Sequence, residues 1–148
     1  IDLNDLIETI VLSHKNKAKK KSIQVLFEHK SDVIVRSDAK AIERVLNNLI
    51  DNAFKYSPEN SIIEIKLKKQ GEFIRLAVMD QGEGVAEEEQ DLVFKRFFRT
   101  ATARANTQQG SGLGLAIVKN LVYNLQGDVG VKSISDGGSE FWFTIPIN

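Results

Sequence analysis

Residues 44–56 read RVLNNLIDNAFKY, and this stretch predicts one amphipathic helix around which the fold is organised. Apolar residues recur in and just before it at steps of three and four, so they fall on one side of a helix and should face a core. These apolar positions are Ile42, Val45, Leu46, Leu49, Ile50 and Ala53. The opposite stripe is polar and consists of Arg44, Asn48, Asp51, Asn52 and Lys55. Asparagine is a poor helix former, so something other than helix stability selects two asparagines one turn apart.

The polar stripe has the chemistry of a metal and phosphate site. An amide oxygen is a neutral, hard ligand, and a nucleotide-bound Mg²⁺ typically takes only one or two ligands from the protein. Asn48 and Asn52 could supply such oxygens, and Lys55 could meet a phosphate as a point charge. On this helix alone, a solvated face with ordinary polar residues remains an open alternative.

Composition limits the class of protein. The 148 residues are 42% hydrophobic, which predicts a single domain over 1–148 that buries roughly two-thirds of its unfolded surface. Twenty basic and twenty acidic residues cancel, so no global field recruits nucleic acid. The absence of cysteine excludes thiol catalysis and suits a reducing, cytoplasmic compartment. Because the chain begins at Ile1 and its one methionine is Met79, we expect a piece of a larger protein, in which a membrane anchor would lie outside this piece.

The remaining periodicity predicts an α+β fold. Asp2 should cap a first helix that ends in a lysine-rich surface, and His14 and His29 are expected to be surface residues. Ser37-Asp38 should start the central helix and Ser57-Pro58 should end it. The predicted elements are a helix over 2–18, a hairpin of 23–28 with 33–35, the central helix, an antiparallel pair of 63–68 with 73–79, a helix over 115–125, and a second pair of 129–134 with 140–145. They should form a two-layer sandwich in which about three helices cover one face of a mostly antiparallel sheet.

Two glycine clusters indicate a bound ligand. DQGEGV at 80–85 ends a predicted strand, where glycines let backbone approach a flat ligand and the acid can accept from an exocyclic amine. By itself this cluster is explained more simply by a hairpin exit or turn, which needs such glycines anyway. GSGLG at 110–114 opens a helix and so presents unpaired amides to anions such as phosphate. Neither cluster has the spacing of a P-loop or a Rossmann fingerprint. Residues 100–109 lack periodicity and could form a nucleotide lid or an ordinary surface loop.

Taken together, these motifs resemble the catalytic, ATP-binding domain of bacterial sensor histidine kinases, within the superfamily shared with gyrase, mismatch-repair proteins and the heat-shock chaperone. The matching motifs, in family order, are NLIDNAFKY at 48–56, DQGEGV at 80–85, FKRFFR at 94–99 and GSGLGLAIV at 110–118, with GGSEFWFTIP at 137–146 similar to the last strand. Lys95, Phe98 and Asp128 depart from residues that are common in the family. The resemblance implies the Bergerat-type sandwich, with ATP and Mg²⁺ as cofactors.

The resemblance also implies roles for individual residues. Asn52 would ligate magnesium with Asn48 beside it, and Asp80 would bond the adenine amine. Lys55 and Tyr56 would meet phosphate and nucleotide. Further nucleotide contacts are implied for Gly82, Gly84, Phe97, Gly110, Ser111, Gly112, Leu113 and Gly114, with Arg96 or Arg99 reaching the terminal phosphate and Asn48, Lys55 and these arginines forming the catalytic set.

Asn48 distinguishes kinase from hydrolase. Related ATPases place a glutamate general base about four residues before the metal asparagine, whereas an asparagine here cannot take a proton from water. The resemblance therefore implies transfer to a histidine on a dimerisation hairpin of the parent kinase, which should precede Ile1, and from there to a response regulator receiver domain. The piece itself should be a monomer and the parent a homodimer. A nucleotide-gated hydrolase and a nonenzymatic nucleotide-binding adaptor remain the alternatives.

Overall fold

The computed structural model describes residues 1–29, 32–95, 98, 114–134 and 137–148. Its helices are α1 Leu3–Ser13, α2 Lys15–Lys21, α3 Ala39–Tyr56 and α4 Gly114–Asn124, with a 3₁₀ turn at Glu87–Glu89. Its strands are β1 Gln24–Phe27, β2 Ile62–Gln70, β3 Phe73–Asp80, β4 Asp128–Ser133 and β5 Ser139–Pro146.

The strands form one mixed sheet in the order β1-β2-β3-β5-β4. β1 runs parallel to β2, and every other neighbouring pair is antiparallel. Burial alternates along β2, where Ile63, Ile65 and Leu67 join the core while Lys66 is exposed on the other face. The core lies between this inner face and the apolar sides of α1, α3 and α4. The predicted α+β sandwich and both antiparallel pairs are therefore confirmed.

The central helix has the predicted limits. Asp38 caps α3 by accepting from the Ala41 amide at 3.1 Å, and Ser57 is extended before Pro58, as the residue before a proline prefers. The apolar positions of α3 face the core and leave its polar stripe outside.

The predicted hairpin of residues 23–28 with 33–35 is wrong. β1 pairs instead with β2, with Val25 opposite Ile63. The segment around Ile34 crosses the start of α1, where Leu3 donates its amide to the Val33 carbonyl at 2.9 Å. A β-rich run shows only that its residues fit a half-buried strand, and its partner here is contributed by a segment more than thirty residues away.

The first helix is also shorter than predicted, because the chain bends at His14 between α1 and α2. The expectation that His14 is a surface residue is wrong, since its side chain is 11% exposed, bonds Asn47 and stacks on Phe54. His29 is exposed, as predicted, beside Glu8. None of the helices in the described ranges is long and apolar enough to cross a bilayer.

Candidate functional site

The polar stripe of α3 divides between two neighbouring elements. Asp51 faces α2, where its Oδ1 lies 3.3 Å from Lys17 Nζ and 3.9 Å from His14 Nδ1. Asn48 lies instead beside the start of α4. A methyl group added at Gly114, the first residue of α4, would be 3.8 Å from Asn48 Oδ1. The one described glycine of the second cluster thus meets the helix that carries both candidate metal ligands.

An open cleft of about 430 Å³ continues from this point along α3 and α4. Its lining residues are Lys40, Glu43, Arg44, Asn47, Asn48 and Ile117. Asn48 and Asn52 are both half-buried, one turn apart, and offer neutral amide oxygens. Within the described ranges, no group of three or more His, Asp or Glu side chains could hold a metal. The available donors therefore suit a Mg²⁺ that takes most of its ligands from phosphate and water.

Asp80 forms the other end of the site, at the end of β3. Its side chain is buried, and its two oxygens accept from different elements: Oδ1 from the Gly82 amide at 2.9 Å and Oδ2 from the Ser139 hydroxyl at 2.8 Å. Burial raises the pKa of the Asp80 carboxyl above its ordinary value, and hydrogen bonds from the Gly82 amide and from the hydroxyl and backbone amide of Ser139 offset part of that rise. Each carboxylate oxygen keeps acceptor capacity for one more donor, such as an exocyclic amine.

Close backbone contacts join Asp80 to α3 and to the hairpin of β4 and β5. A methyl group on Gly82 would lie 2.5 Å from the Tyr56 carbonyl oxygen, at the end of α3. One on Gly138 would lie 2.0 Å from the Asp80 carbonyl oxygen, and Gly138 has a φ of +109° that disfavours other residues. Glycine is therefore required at both positions for Asp80 to lie where it does.

The site thus extends along α3, from Asn48 beside Gly114 to Tyr56 beside Gly82. Eight helical residues rise about 12 Å, a distance that an adenine nucleotide can span. Lys55 and Tyr56 are half-buried in the last turn of α3. The predicted contacts of Arg96, Phe97, Arg99, the lid over 100–109 and Gly110, Ser111, Gly112 and Leu113 lie outside the described residues.

Sequence reasoning missed Ser139 and Gly138. The GGS triplet at 137–139 was assigned only to a turn and the last strand, yet Ser139 donates to Asp80 and Gly138 packs on the Asp80 backbone. A small hydroxyl residue directly after paired glycines was the available signal, because such a hydroxyl can reach a neighbouring strand end.

Comparison with known proteins gives concordant findings. A family model described as "Histidine kinase-, DNA gyrase B-, and HSP90-like ATPase" matches residues 37–148. The sensor-like histidine kinase SenX3 of Mycobacterium tuberculosis is 38% identical over 146 residues, which cover 99% of this chain and 36% of SenX3. The chain thus spans about a third of the length of this relative.

Solved structures agree with the sequence matches. The nucleotide-free catalytic domain of the histidine kinase ThkA superposes with a TM-score of 0.87 at 31% identity, covering 99% of this chain and 93% of that one. ThkA in complex with the response regulator protein TrrA superposes with a TM-score of 0.84 at 27% identity, covering 100% of this chain and 41% of that one.

Proposed function

Because the chain belongs to the histidine kinase-, DNA gyrase B- and HSP90-like ATPases and matches the catalytic ATP-binding domain of sensor histidine kinases, we propose that it binds Mg-ATP and donates the γ-phosphoryl group to a histidine of a partner hairpin. The observation that carries this proposal is a buried carboxylate, Asp80, near the C-terminal end of α3, together with two half-buried amides, Asn48 and Asn52, on the polar stripe of the same helix. The carboxylate suits adenine and the amide stripe suits phosphates with magnesium.

In this proposal, Asp80 recognises adenine. The carboxylate accepts from the exocyclic amine while Gly82 and Ser139 hold its two oxygens in place. Gly82 and Gly84 keep the wall beside the ring free of side chains. A guanine offers a carbonyl at the position of the adenine amine, and two acceptors facing each other would repel.

The polar stripe of α3 and the second glycine cluster recognise the phosphates. Asn52 binds magnesium with Asn48 beside it, Lys55 and Tyr56 contact the nucleotide, and the amides of 110–114 receive the phosphates. Arg96 or Arg99 would contact the terminal phosphate, and Phe97 would contact the nucleotide. Magnesium held there would neutralise phosphate charge, and positioning with charge neutralisation is the main requirement of phosphoryl transfer.

The transfer step needs an imidazole from outside this chain. A nitrogen of the acceptor imidazole attacks the γ-phosphorus as the bond to the β,γ-bridging oxygen breaks; ADP leaves, and a base on the partner takes the imidazole proton. His14 does not suit this role, because its Nε2 lies 2.7 Å from Asn47 Oδ1 and its ring stacks on Phe54. Asn48 cannot activate water, which disfavours a dedicated hydrolase.

The partners follow from the same reaction. The hairpin that carries the acceptor histidine belongs to the parent kinase, which acts as a homodimer, while this chain alone is a monomer. A response regulator receiver domain accepts the phosphoryl group next, as the complex of ThkA with the response regulator TrrA supports. The domain acts in the cytoplasm.

The magnesium assignment is tested by titrating ATP calorimetrically into Asn52→Ala, with and without magnesium. We expect magnesium to strengthen ATP binding to the parent chain and this gain to fall roughly tenfold or more in the variant, because a metal ligand is lost. Asp51→Ala is the matched control, since Asp51 lies on the same helix but turns away from the cleft toward Lys17 of α2. An equal magnesium effect in Asn52→Ala and the parent would contradict the ligand role.

A further inference from the structure

Two serines stand opposite each other where the β4–β5 hairpin reaches the adenine end of the site. Ser133 is the last residue of β4, Ser139 is the first residue of β5, and the two are register partners. Ser139 donates to Asp80, which begins the glycine loop at 80–85. Ser133 bonds Val85, which ends that loop. The hairpin therefore holds the loop at both ends.

The Ser133 contact is a double one. Its Oγ accepts from the Val85 amide at 3.0 Å and donates to the Val85 carbonyl at 2.7 Å. A hydroxyl has one proton and two lone pairs, so both bonds can exist together. Gln90 Nε2 donates to the same carbonyl at 3.1 Å, so the carbonyl keeps a partner without Ser133. In the part of the chain that the structure describes, the acceptor of the Val85 amide is Ser133 Oγ.

The neighbouring contacts make this bond decisive for the position of the loop. Val85 is buried, so an amide left without an acceptor there carries a desolvation cost. Gly84 lies against Ser133 and Gly138 with a φ of +81°, and a methyl group on it would lie 3.1 Å from Ser133 Oγ and 3.0 Å from the Gly138 carbonyl oxygen. Ser133 itself is exposed, so removing its hydroxyl opens no core cavity.

We propose that Ser133 is a positioning residue for adenine recognition: its hydroxyl fixes Gly84 and Val85, so that the loop between them and Asp80 keeps the shape that fits the base. This inference rests on the proposed nucleotide site. Without the hydroxyl, the loop end moves, while Ser139 still holds Asp80 and the amide stripe of α3 is untouched. Binding energy from the base should fall more than binding energy from the phosphates.

The test compares Ser133→Ala, Ser133→Thr and Thr144→Val in the 148-residue chain. Thr144→Val is the matched control, because Thr144 Oγ1 accepts from the Asp128 amide at 3.1 Å at the other end of the same hairpin. Calorimetry measures the affinities for ATP and GTP, and amide exchange measures the protection of Val85 in the nucleotide-free chain.

We expect Ser133→Ala to weaken ATP binding roughly three- to tenfold, the scale of one lost hydrogen bond, with a smaller loss for GTP and faster exchange at Val85. Ser133→Thr keeps the hydroxyl and should leave ATP affinity, GTP affinity and Val85 exchange as they are in the unsubstituted chain. Thr144→Val should also change none of these three quantities. Unchanged Val85 exchange, an unchanged ratio of ATP to GTP affinity in Ser133→Ala, or the same losses in Thr144→Val would overturn the proposal. If the parent chain failed to bind ATP, the proposed function would fall instead, while Val85 exchange would still report on the Ser133 contact.

Discussion

Replacing Asp80 by asparagine should weaken ATP binding and at the same time stabilise the fold. The bonds to the Gly82 amide and the Ser139 hydroxyl survive the change, because the new Oδ1 can still accept from the amide and the hydroxyl can turn to accept from the new amide nitrogen. What changes is the group that faces the adenine amine, where a donor replaces an acceptor. The loss of one charge-assisted hydrogen bond predicts at least a roughly tenfold weaker affinity for ATP.

The stability effect follows from the pKa of Asp80. Burial raises this pKa above the ordinary value of 3.8, so the ionised carboxylate is less favourable in the folded chain than in the unfolded one. At a pH below 3.8 both states are protonated and the parent carries no penalty. As pH rises through 3.8 and then through the folded pKa, the penalty develops in the parent, whereas Asp80→Asn has no charge to bury. The variant should therefore gain stability over the parent between acid and neutral pH.

Calorimetry at neutral pH measures the affinity, and urea unfolding at several pH values measures the free energy of unfolding. Asp32→Asn is the control, because Asp32 is exposed, and it should change neither quantity. Unchanged ATP affinity in Asp80→Asn would refute the adenine assignment. A variant less stable than the parent at neutral pH would refute the conclusion that burial dominates the energetics of this carboxylate.

Two further substitutions test the sheet and the glycine loop. Burial alone would raise the pKa of Glu140, but Arg75 and Lys132, at 3.2 and 3.3 Å, outweigh it and lower that pKa, so Glu140→Gln should cost about 1–2 kcal/mol at neutral pH. This cost should disappear as pH falls below 4.5 and through the pKa of Glu140 in the folded chain. The control, Glu64→Gln, should cost under about 0.5 kcal/mol, because the contact of Glu64 with Lys66 is exposed and 3.9 Å long. A loss of stability in Glu140→Gln that does not change with pH in urea unfolding would contradict the ion-pair account. Gly82→Ala should lower ATP affinity in calorimetry, because its methyl group would meet the Tyr56 carbonyl oxygen at 2.5 Å and push the loop from α3. Gly71→Ala, at a strained φ of +62° with open space around it, should reduce stability without changing affinity, and equal affinity losses in the two variants would show that Gly82 has no special place in the site.

Local signals predicted the elements that depend on neighbours in the sequence. The apolar period of α3, the Asp38 cap and Pro58 together define one helix, because each acts within a few residues. β2 and β3 were found for the same reason, since a tight turn at Gly71 joins them.

Non-local partners could not be predicted in this way. Nothing within residues 23–28 indicates that β1 pairs with β2. Helical periodicity places Asp51 and Asn48 on one polar stripe, but it does not show that Asp51 faces Lys17 while Asn48 lies beside Gly114. The bend at His14 likewise depends on Asn47 and Phe54, which lie on another helix. The Ser139 contact with Asp80 joins two strand ends that are 59 residues apart.

The most direct test of the central claim is transfer of phosphate from γ-labelled ATP to the parent kinase's acceptor hairpin, supplied as a separate chain at high concentration. In the parent kinase the hairpin and this domain are tethered in one chain, which gives a high effective concentration; the separate hairpin must therefore be added at high concentration. We expect acid-labile phosphohistidine on the hairpin only when magnesium and this chain are both present, with His14 and His29 unlabelled and slow release of free phosphate. Label on His14 or His29, or rapid ATP turnover with an unlabelled hairpin, would contradict the proposal that this domain is a histidine kinase donor.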